Sequence, residues 1–214
     1  MKSVDAQLQD CLDLAVPLER YEAELPDALN CIVAEDVLSM IDLPAANIAA
    51  QDGYAVRGVD TVGASGGSPV RLRVLGELYA DSAESSVVFE GTAMKIASGA
   101  WLPTGADCVV PLESTDQDTV EVTVYQSVRA GDYVRAKGED LQLGEVALSQ
   151  GTRIAARHMA LLASAGRALV PVHPAPRVVV MSIGNELLAP GRAASAGKVY
   201  DANSHALSAA VKSA

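Results

Sequence analysis

The chain has 214 residues, of which 50% are hydrophobic and 20% charged, a composition typical of a globular protein with one or two domains. Its formal net charge of −11 disfavours binding to the phosphate backbone of nucleic acids. Acidic residues at positions 5, 10 and 13 do not suit a signal peptide, and no uncharged apolar run reaches ~18 residues. We therefore expect a cytoplasmic protein without a membrane span.

The N-terminal region has helical periodicity. Apolar residues recur at helical spacing over 4–16, Ser3 is a candidate N-cap, and Pro17 ends the pattern. A second periodic stretch predicts another helix from about 26 to 38.

From about residue 45 to 150, short β-prone runs alternate with turn signals. This pattern predicts a small β domain that resembles a barrel or a sandwich. The predicted strands are Tyr54–Val56, Val70–Leu75, Val87–Phe89, Met94–Ala97, Cys108–Pro111, Val120–Tyr125 and Tyr133–Arg135.

Helical periodicity returns at 152–165, where Thr152 is a candidate cap and Gly166 suits the position after the helix. A short strand is predicted at 168–172. Two prolines then indicate a domain boundary, Pro174 and Pro176.

The continuous apolar run at 177–182 predicts a strand that is buried on both faces. A helix capped by Asn203 or Ser204 is predicted to follow and to reach about Lys212, so the segment starts a βα unit. A parallel strand needs parallel neighbours, which leaves three explanations. The chain is a fragment of a longer protein, which we favour; its tail pairs with another chain; or the tail is poorly ordered.

Neither the cysteines nor the histidines form a metal-binding or disulfide pattern. The cysteines are odd in number, far apart and without a CxxC pair, which predicts buried free thiols: Cys11, Cys31 and Cys108. The histidines form no ligand pair and are predicted to be structural or exposed: His158, His173 and His205.

Three acidic residues are candidate site residues: Asp52, Asp140 and Glu186. Each has a structural alternative, because Asp-Gly is a common hairpin corner, the loop around 139–140 is rich in charge, and an acid suits the start of a helical turn. Carboxylates that converge in a pocket would bind Mg²⁺ or another hard cation, which in turn holds phosphate or oxyanion groups. Glu186 has the best independent support because open α/β sheets bind ligands just beyond the ends of their strands.

The stretch 94–107 contains Ser98, two glycines and a proline. A rigid loop of this kind can offer a hydroxyl and main-chain N–H groups to an anion. The alternative is a plain turn between strands. It is not a P-loop, because no Gly-Lys-Ser/Thr follows.

Taken together, five motifs resemble the molybdopterin molybdenumtransferases, to which the C-terminal part of gephyrin is related. The resemblance covers the chain from about residue 8 to its end, in family order and spacing. The motifs are Asp52–Arg57, Ser98–Ala100 with Leu102–Asp107, Arg135 with Gly138–Asp140, Gly184–Leu187 with Pro190–Gly191, and Tyr200–Asn203.

The resemblance implies a cytoplasmic homodimer that inserts molybdate into adenylylated molybdopterin with Mg²⁺ and releases AMP. It implies contacts with a pterin substrate and with other cofactor-biosynthesis proteins. By position, Asp52, Asp140 and Glu186 are implied as catalytic and metal-binding residues. The implied cofactor-binding residues are Ser98, Gly99, Arg135, Asp201 and Asn203.

The expected fold class is an α+β multidomain chain. The resemblance implies a linker region of helices and strands at 1–44 and 141–175, an inserted β-rich, barrel-like domain at 45–140, and the truncated start of an α/β molybdopterin-binding domain at 176–214. We expect the chain alone to be inactive, because most of the pterin pocket would lie outside it.

The chain departs from the family before the Asp-Gly motif. Relatives usually have Phe-Asp-Asn-Ser-Ala-Met there, whereas this chain has Ala-Asn-Ile-Ala-Ala-Gln at 46–51. The usual Ser-Thr-Gly-Asp-Glu is Ser-Ile-Gly-Asn-Glu at 182–186. These losses of polar groups motivate a second hypothesis, a divergent non-catalytic relative that acts as a dimerising or pterin-binding module.

Overall fold

The computed structural model describes residues 2–82 and 86–213. Its contacts divide the chain into two compact units. The larger unit is Arg20–His173, and the smaller unit combines Met1–Glu19 with Pro174–Ala214. The domain boundaries expected at 44/45, 140/141 and 175/176 stay predictions.

The described residues form a mixture of helices and strands, as the sequence predicts. The α-helices are α1 (Val4–Asp13), α2 (Ala156–Ser164) and α3 (Asn203–Ser213), and single 3₁₀ turns lie at Leu25–Ala28, Gly58–Thr61 and Leu112–Ser114. The strands are β1 (Tyr21–Glu24), β2 (Ile32–Val33), β3 (Val37–Leu38), β4 (Ile48–Ala49), β5 (Gly53–Val56), β6 (Val70–Leu78), β7 (Thr92–Ile96), β8 (Cys108–Pro111), β9 (Glu121–Val124), β10 (Val134–Arg135), β11 (Val146–Leu148), β12 (Leu169–His173), β13 (Leu187–Leu188) and β14 (Val199–Tyr200).

A five-stranded sheet in the order β8-β5-β7-β6-β9 is the centre of the larger unit. Only β6 and β7 run parallel, while the other pairs are antiparallel. Alternate residues of β5 enter different hydrophobic clusters: Tyr54 and Val56 join one, and Ala55 joins the other. Since successive side chains of a strand point to opposite faces, the sheet is covered by apolar residues on both faces.

A third hydrophobic cluster draws its residues from two distant parts of the chain, 23–37 and 148–172. Strand β12 lies between β1 and β2 in a three-stranded antiparallel sheet, and the buried Leu162 of α2 belongs to the same cluster. The start of the larger unit therefore packs against its end.

Most of the predicted strands at 54–135 are confirmed, because they coincide with β5 to β10. The exception is Val87–Phe89, where only a single parallel bridge joins Val87 to Thr104. Without a continuous ladder this run does not become a strand.

The helix predicted at 26–38 is wrong. The segment forms a 3₁₀ turn and then β2 and β3, and Asn30 adopts a left-handed conformation with φ of 67°. Its main chain pairs with the end of the unit: the N–H of Asn30 donates to the carbonyl of Ile154, and that of Val33 donates to the carbonyl of Thr152. Long-range pairing therefore overrides the local periodicity.

The other predicted helices form with altered ends. Ser3 caps α1 as predicted, since its hydroxyl accepts from the N–H of Ala6 at 3.1 Å. Helix α2 begins at 156, so Thr152 does not cap it, because 152–154 pair with β2 and its neighbours. The His158 Nδ1 instead accepts from the N–H of Ala155 at 3.1 Å, a structural role for this histidine.

The buried strand predicted at 177–182 is also wrong. The segment has no regular secondary structure and no ladder pairing to any described residue, and Val179 and Met181 are 80% and 76% exposed. The parallel pair of this unit is instead β13 with β14, followed by α3. An apolar run becomes a buried strand only when neighbouring strands cover both of its faces.

The prediction of buried free thiols is confirmed for two of the three cysteines. Cys31 and Cys108 are buried free thiols as predicted, whereas Cys11 lies exposed on α1, which buries none of its residues. Within the described ranges, no helix has the length and apolarity that a membrane span requires.

Candidate functional site

Strand β4 connects the two parts of the larger unit that carry the predicted site residues. On one side, the N–H of Ala49 donates to the carbonyl of Ala100, and the N–H of Gly99 donates to the carbonyl of Ala49, both at 2.9 Å. On the other side, β4 pairs with β10, which places Ile48 opposite Arg135. The Ser98 loop and the Arg135 strand therefore flank the same short strand.

Asp52 follows β4 and its carboxylate holds the Ser98 loop. Its Oδ1 accepts from the main-chain N–H of Ser98 at 2.7 Å. Asp52 is not the corner of a hairpin, because β4 and β5 on either side of it belong to different sheets. The residue is exposed, and no described group donates a hydrogen bond to its second carboxylate oxygen.

Gly53 is required by close packing rather than by a turn. A Cβ atom at this position would lie 2.2 Å from the carbonyl oxygen of Val110 and 2.8 Å from Cγ1 of Val109. The Asp-Gly motif therefore lets β5 approach β8 while Asp52 stays at the strand's edge.

The Ser98 loop combines a plain turn with accessible polar groups. The Ser98 hydroxyl donates to the carbonyl of Ala50 at 3.3 Å, and Gly99 has φ of 81°, a conformation that glycine adopts without strain. The loop serves as a connection between strands and also carries an exposed hydroxyl next to Asp52.

Arg135 and Asp140 form an ion pair on the other side of β4. The Asp140 carboxylate, by its hydrogen bond and charge, raises the pKa of Arg135. Both residues are partly or fully exposed, and the carboxylate of Glu139 accepts from the N–H of Ala136 at 3.0 Å. This geometry matches the charged-loop alternative and also leaves a cation beside β4.

The remaining candidates lie in the smaller unit. Glu186 immediately precedes β13, and its main-chain carbonyl accepts from the N–H of Val199 at 2.9 Å. It does not start a helix, and the segment before it is not the buried strand that the sequence predicted. The Asp201 carboxylate accepts from the N–H of Ser204 at 3.0 Å, and this hydrogen bond lowers the pKa of Asp201. Asp201 therefore caps α3, which begins at Asn203.

Among the described residues, no group of three or more His, Cys, Asp or Glu side chains is placed to hold a metal ion. The shared metal site expected of Asp52, Asp140 and Glu186 stays a prediction. Asp52 by itself suits Mg²⁺, which proteins often hold through one or two carboxylates together with waters and substrate phosphates. Asp140 suits it less, because Arg135 already neutralises its charge.

A small cavity beside Asp52 contains polar residues that the sequence patterns did not single out. It has a volume of about 150 Å³ and is lined by Asp52, Glu77, Tyr79 and Lys95 among others. Glu77 accepts from the Tyr79 hydroxyl at 2.5 Å and from the Lys95 ammonium at 3.1 Å, and these bonds lower the pKa of Glu77. The sequence patterns gave no signal for this cluster, because Glu77 and Tyr79 lie beyond the predicted strand Val70–Leu75.

The family of the chain follows from comparison with known proteins. Residues 2–166 match the model of the MoeA N-terminal region (domain I and II). The chain belongs to the MoeA family. The expected resemblance to molybdopterin molybdenumtransferases is thereby confirmed.

Relatives of this family cover nearly the whole chain. Molybdopterin molybdenumtransferases 1 and 2 of Mycobacterium tuberculosis (strain ATCC 25618 / H37Rv) are 38% and 36% identical to it over 100% and 99% of its length. A crystal structure of a molybdopterin biosynthesis MoeA protein from Pyrococcus horikosii superimposes with a TM-score of 0.79 and 34% identity over 99% of the chain.

The chain spans about half the length of these relatives: 54% and 50% of the two mycobacterial proteins and 54% of the Pyrococcus chain. The MoeA fold is therefore shared by nearly all of this chain, which corresponds to one half of the longer proteins.

Proposed function

We propose that the chain acts in molybdenum cofactor biosynthesis, as part of an enzyme that inserts molybdate into adenylylated molybdopterin and releases AMP. The match of 2–166 to the MoeA N-terminal region carries this proposal. The names of the mycobacterial relatives, molybdopterin molybdenumtransferases, give the reaction class. The finer domain description implied by the resemblance, a barrel-like β domain between linker segments and an α/β domain, is part of the same proposal.

In this proposal Asp52 is the main acidic residue of the larger unit. The hydrogen bond from the N–H of Ser98 fixes one of its oxygens, and we propose that the other binds a cation. Mg²⁺ bound there would neutralise negative charge on a substrate phosphate or on molybdate. The exposed Ser98 hydroxyl and the main chain of Gly99 lie next to this position and would contact the same anion.

Arg135 and Asp140 complete the proposed site of the larger unit. The Arg135 guanidinium is a fixed positive charge that suits phosphate or molybdate oxygens, and Asp140 orients it. For the smaller unit taken by itself, Glu186, Asp201 and Asn203 are proposed to contact pterin or metal. We also propose that the protein is a cytoplasmic homodimer and contacts other cofactor-biosynthesis proteins.

The test uses the natural gene product that contains this chain in a strain unable to insert molybdenum. We expect the unaltered protein to restore cofactor synthesis, Asp52→Asn to abolish the rescue, and the control Gly66→Ala to keep it, because a Cβ there meets no atom within 4 Å. In parallel, calorimetry should detect Mg²⁺ binding to the 214-residue chain that Asp52→Asn weakens. Full rescue by Asp52→Asn would contradict the assigned role.

A second candidate function is a non-catalytic module, and the geometry of 46–51 favours it. The Asn47 side chain accepts from the N–H of Lys137 at 2.9 Å, and Ala49 is buried in a hydrophobic cluster. These positions thus support the fold with a main-chain contact and an apolar side chain, where other family members place polar groups. Failure of the unaltered gene product to rescue, combined with retained pterin binding, would support this module.

A further inference from the structure

A second cavity of the larger unit lies next to the Asp52 pocket. Its volume is about 510 Å³, within the range of roughly 300–1,000 Å³ that is usual for small-molecule sites. Leu78 and Tyr79 line both cavities, so the two are neighbours. A ligand that reaches Asp52 therefore has a neighbouring space for a second part of its structure.

The wall of this larger cavity carries the protein's only tryptophan. Trp101 is 61% exposed and Tyr79 is 56% exposed, although the chain has only 4% aromatic residues. Leu78 and Pro103 are buried and provide an apolar base. The cavity wall therefore carries two exposed aromatic side chains above an apolar base, a lining that suits a flat ligand.

Hydroxyl groups accompany the aromatic rings. Ser86 and Thr104 line the cavity, and neither side chain has a hydrogen-bond partner within 2–82 and 86–213. Their main chains are joined, because the N–H of Thr104 donates to the carbonyl of Ser86 at 2.9 Å. Flat aromatic walls with nearby hydroxyl groups suit a planar ring that carries both hydrogen-bond donors and acceptors.

We propose that this cavity, with Trp101 and Tyr79 on its wall, binds the planar nitrogen heteroaromatic ring of the substrate. The inference rests on the proposed function, because an adenylylated pterin contains two such rings, a pterin and an adenine. Each ring can stack on an indole, and its phosphate-bearing remainder would extend towards Asp52 and Lys95. The indole of Trp101 supplies the stacking surface, and the hydroxyls of Ser86 and Thr104 bind the ring edge.

The experiment titrates the 214-residue chain with neopterin and, separately, with AMP. Calorimetry gives the affinity, and quenching of the fluorescence of the single tryptophan shows whether the ring lies at Trp101. Stacking of a base on an aromatic side chain is commonly lost with roughly a tenfold or larger drop in affinity on substitution by alanine. We expect that drop for Trp101→Ala, a smaller one for Tyr79→Ala, and near-normal binding for Trp101→Phe.

Phe89→Ala is the matched control. Phe89 is also 61% exposed, but it is not among the residues that line the cavity, so its removal should leave binding unchanged. Binding of neopterin alone identifies the pterin as the occupant, and binding of AMP alone identifies the adenine. The proposal is overturned if neither compound binds, if Trp101→Ala binds normally, or if Phe89→Ala weakens binding equally.

Failure of this inference can be told apart from failure of the proposed function. Rescue of cofactor synthesis by a gene product that carries Trp101→Ala, together with normal neopterin binding, overturns the ring site and leaves the proposed function standing. Trp101-dependent ring binding by a protein whose unaltered form does not rescue supports the ring site and contradicts the transferase function.

Discussion

The main-chain N–H of Ser98 donates a 2.7 Å hydrogen bond to Oδ1 of Asp52, although the two residues are 46 positions apart in the chain. The bond joins the start of β5 to the loop after β7, and both elements lie in the central sheet. Asp52 is exposed and also lines the small polar cavity.

Replacing Asp52 should separate its structural role from its charge. Asp52→Ala removes the acceptor for the Ser98 N–H and should lower the free energy of unfolding by about 1 kcal/mol, because the bond is charge-assisted but exposed. Asp52→Asn keeps an acceptor oxygen and should lose less. Urea unfolding measures both, and an equal loss for the two variants would show that the charge, rather than the acceptor, stabilises the loop.

Gly53→Ala should strongly destabilise the larger unit. Its Cβ would lie 2.2 Å from a main-chain oxygen of Val110, which no side-chain rotation can relieve. We expect a loss of roughly 1–3 kcal/mol, as for other overpacked sites. The control Gly66→Ala meets nothing within 4 Å and should change stability little. Thermal melts of the two variants that coincide would contradict this account of β5 and β8.

Asp42 should make stability depend on acid pH. The pKa of Asp42 is lowered mainly by a hydrogen bond from the N–H of Leu143 at 2.8 Å. A second, smaller contribution comes from the hydrogen bond of the Lys137 ammonium. A carboxyl group with a lowered folded-state pKa stabilises the protein above its unfolded pKa of about 3.9, and this contribution is lost as the pH falls through the folded value.

The measurement is the urea midpoint of the unaltered chain and of Asp42→Asn between neutral and acid pH. The unaltered chain should be the more stable at neutral pH, and the difference should disappear in acid. A difference that stays constant over the whole range would mean that the Asp42 carboxylate does not titrate with folding.

The ion pair of Arg135 with Asp140 should matter little for stability. Both side chains reach solvent, and exposed pairs of this kind contribute little to folding. Asp140→Asn and Arg135→Lys should therefore melt like the unaltered chain. Since folding is preserved, a loss of rescue by either variant in the natural gene product would report on substrate or metal binding. A large fall in melting temperature would show instead that the pair holds β10 in place.

Amide exchange should distinguish the explanations for 177–182. The segment has no ladder pairing to described residues, so the N–H groups of Val178 to Met181 should exchange rapidly, in contrast to Val109 and Val110 in the central sheet. Protection that increases with protein concentration would show that the run pairs with another chain. Protection that is independent of concentration would contradict the unpaired state of this segment.

Sequence reasoning succeeded where short-range signals agree with the fold. The apolar runs at 54–56 and 108–111 became β5 and β8 because both faces of the sheet are covered, so neither face could be polar. Ser3 caps α1 because an N-cap needs only an N–H three residues further along the chain. The same reasoning failed at 26–38, where helical spacing was overridden by pairing with 152–173.

The candidate site was predicted only in part, for the same reason. Motif resemblance identified Asp52, Ser98 and Arg135, but the sequence does not show that β4 places the Ser98 loop and Arg135 on its two sides. The cluster of Glu77, Tyr79 and Lys95 was missed because its members meet across β6 and β7, not along one strand.

The sequence by itself determined the family, the β-rich middle of the chain and the Ser3 cap of α1, and it supplied the acidic candidates as predictions. Only the tertiary structure decided that 26–38 is not helical, that Asp52 is bound by Ser98, and that Trp101 is exposed on a cavity. The physical reason is the range of the interactions. Caps and alternation depend on residues a few positions apart, whereas strand pairing and cavity walls depend on partners that only the folded chain brings together.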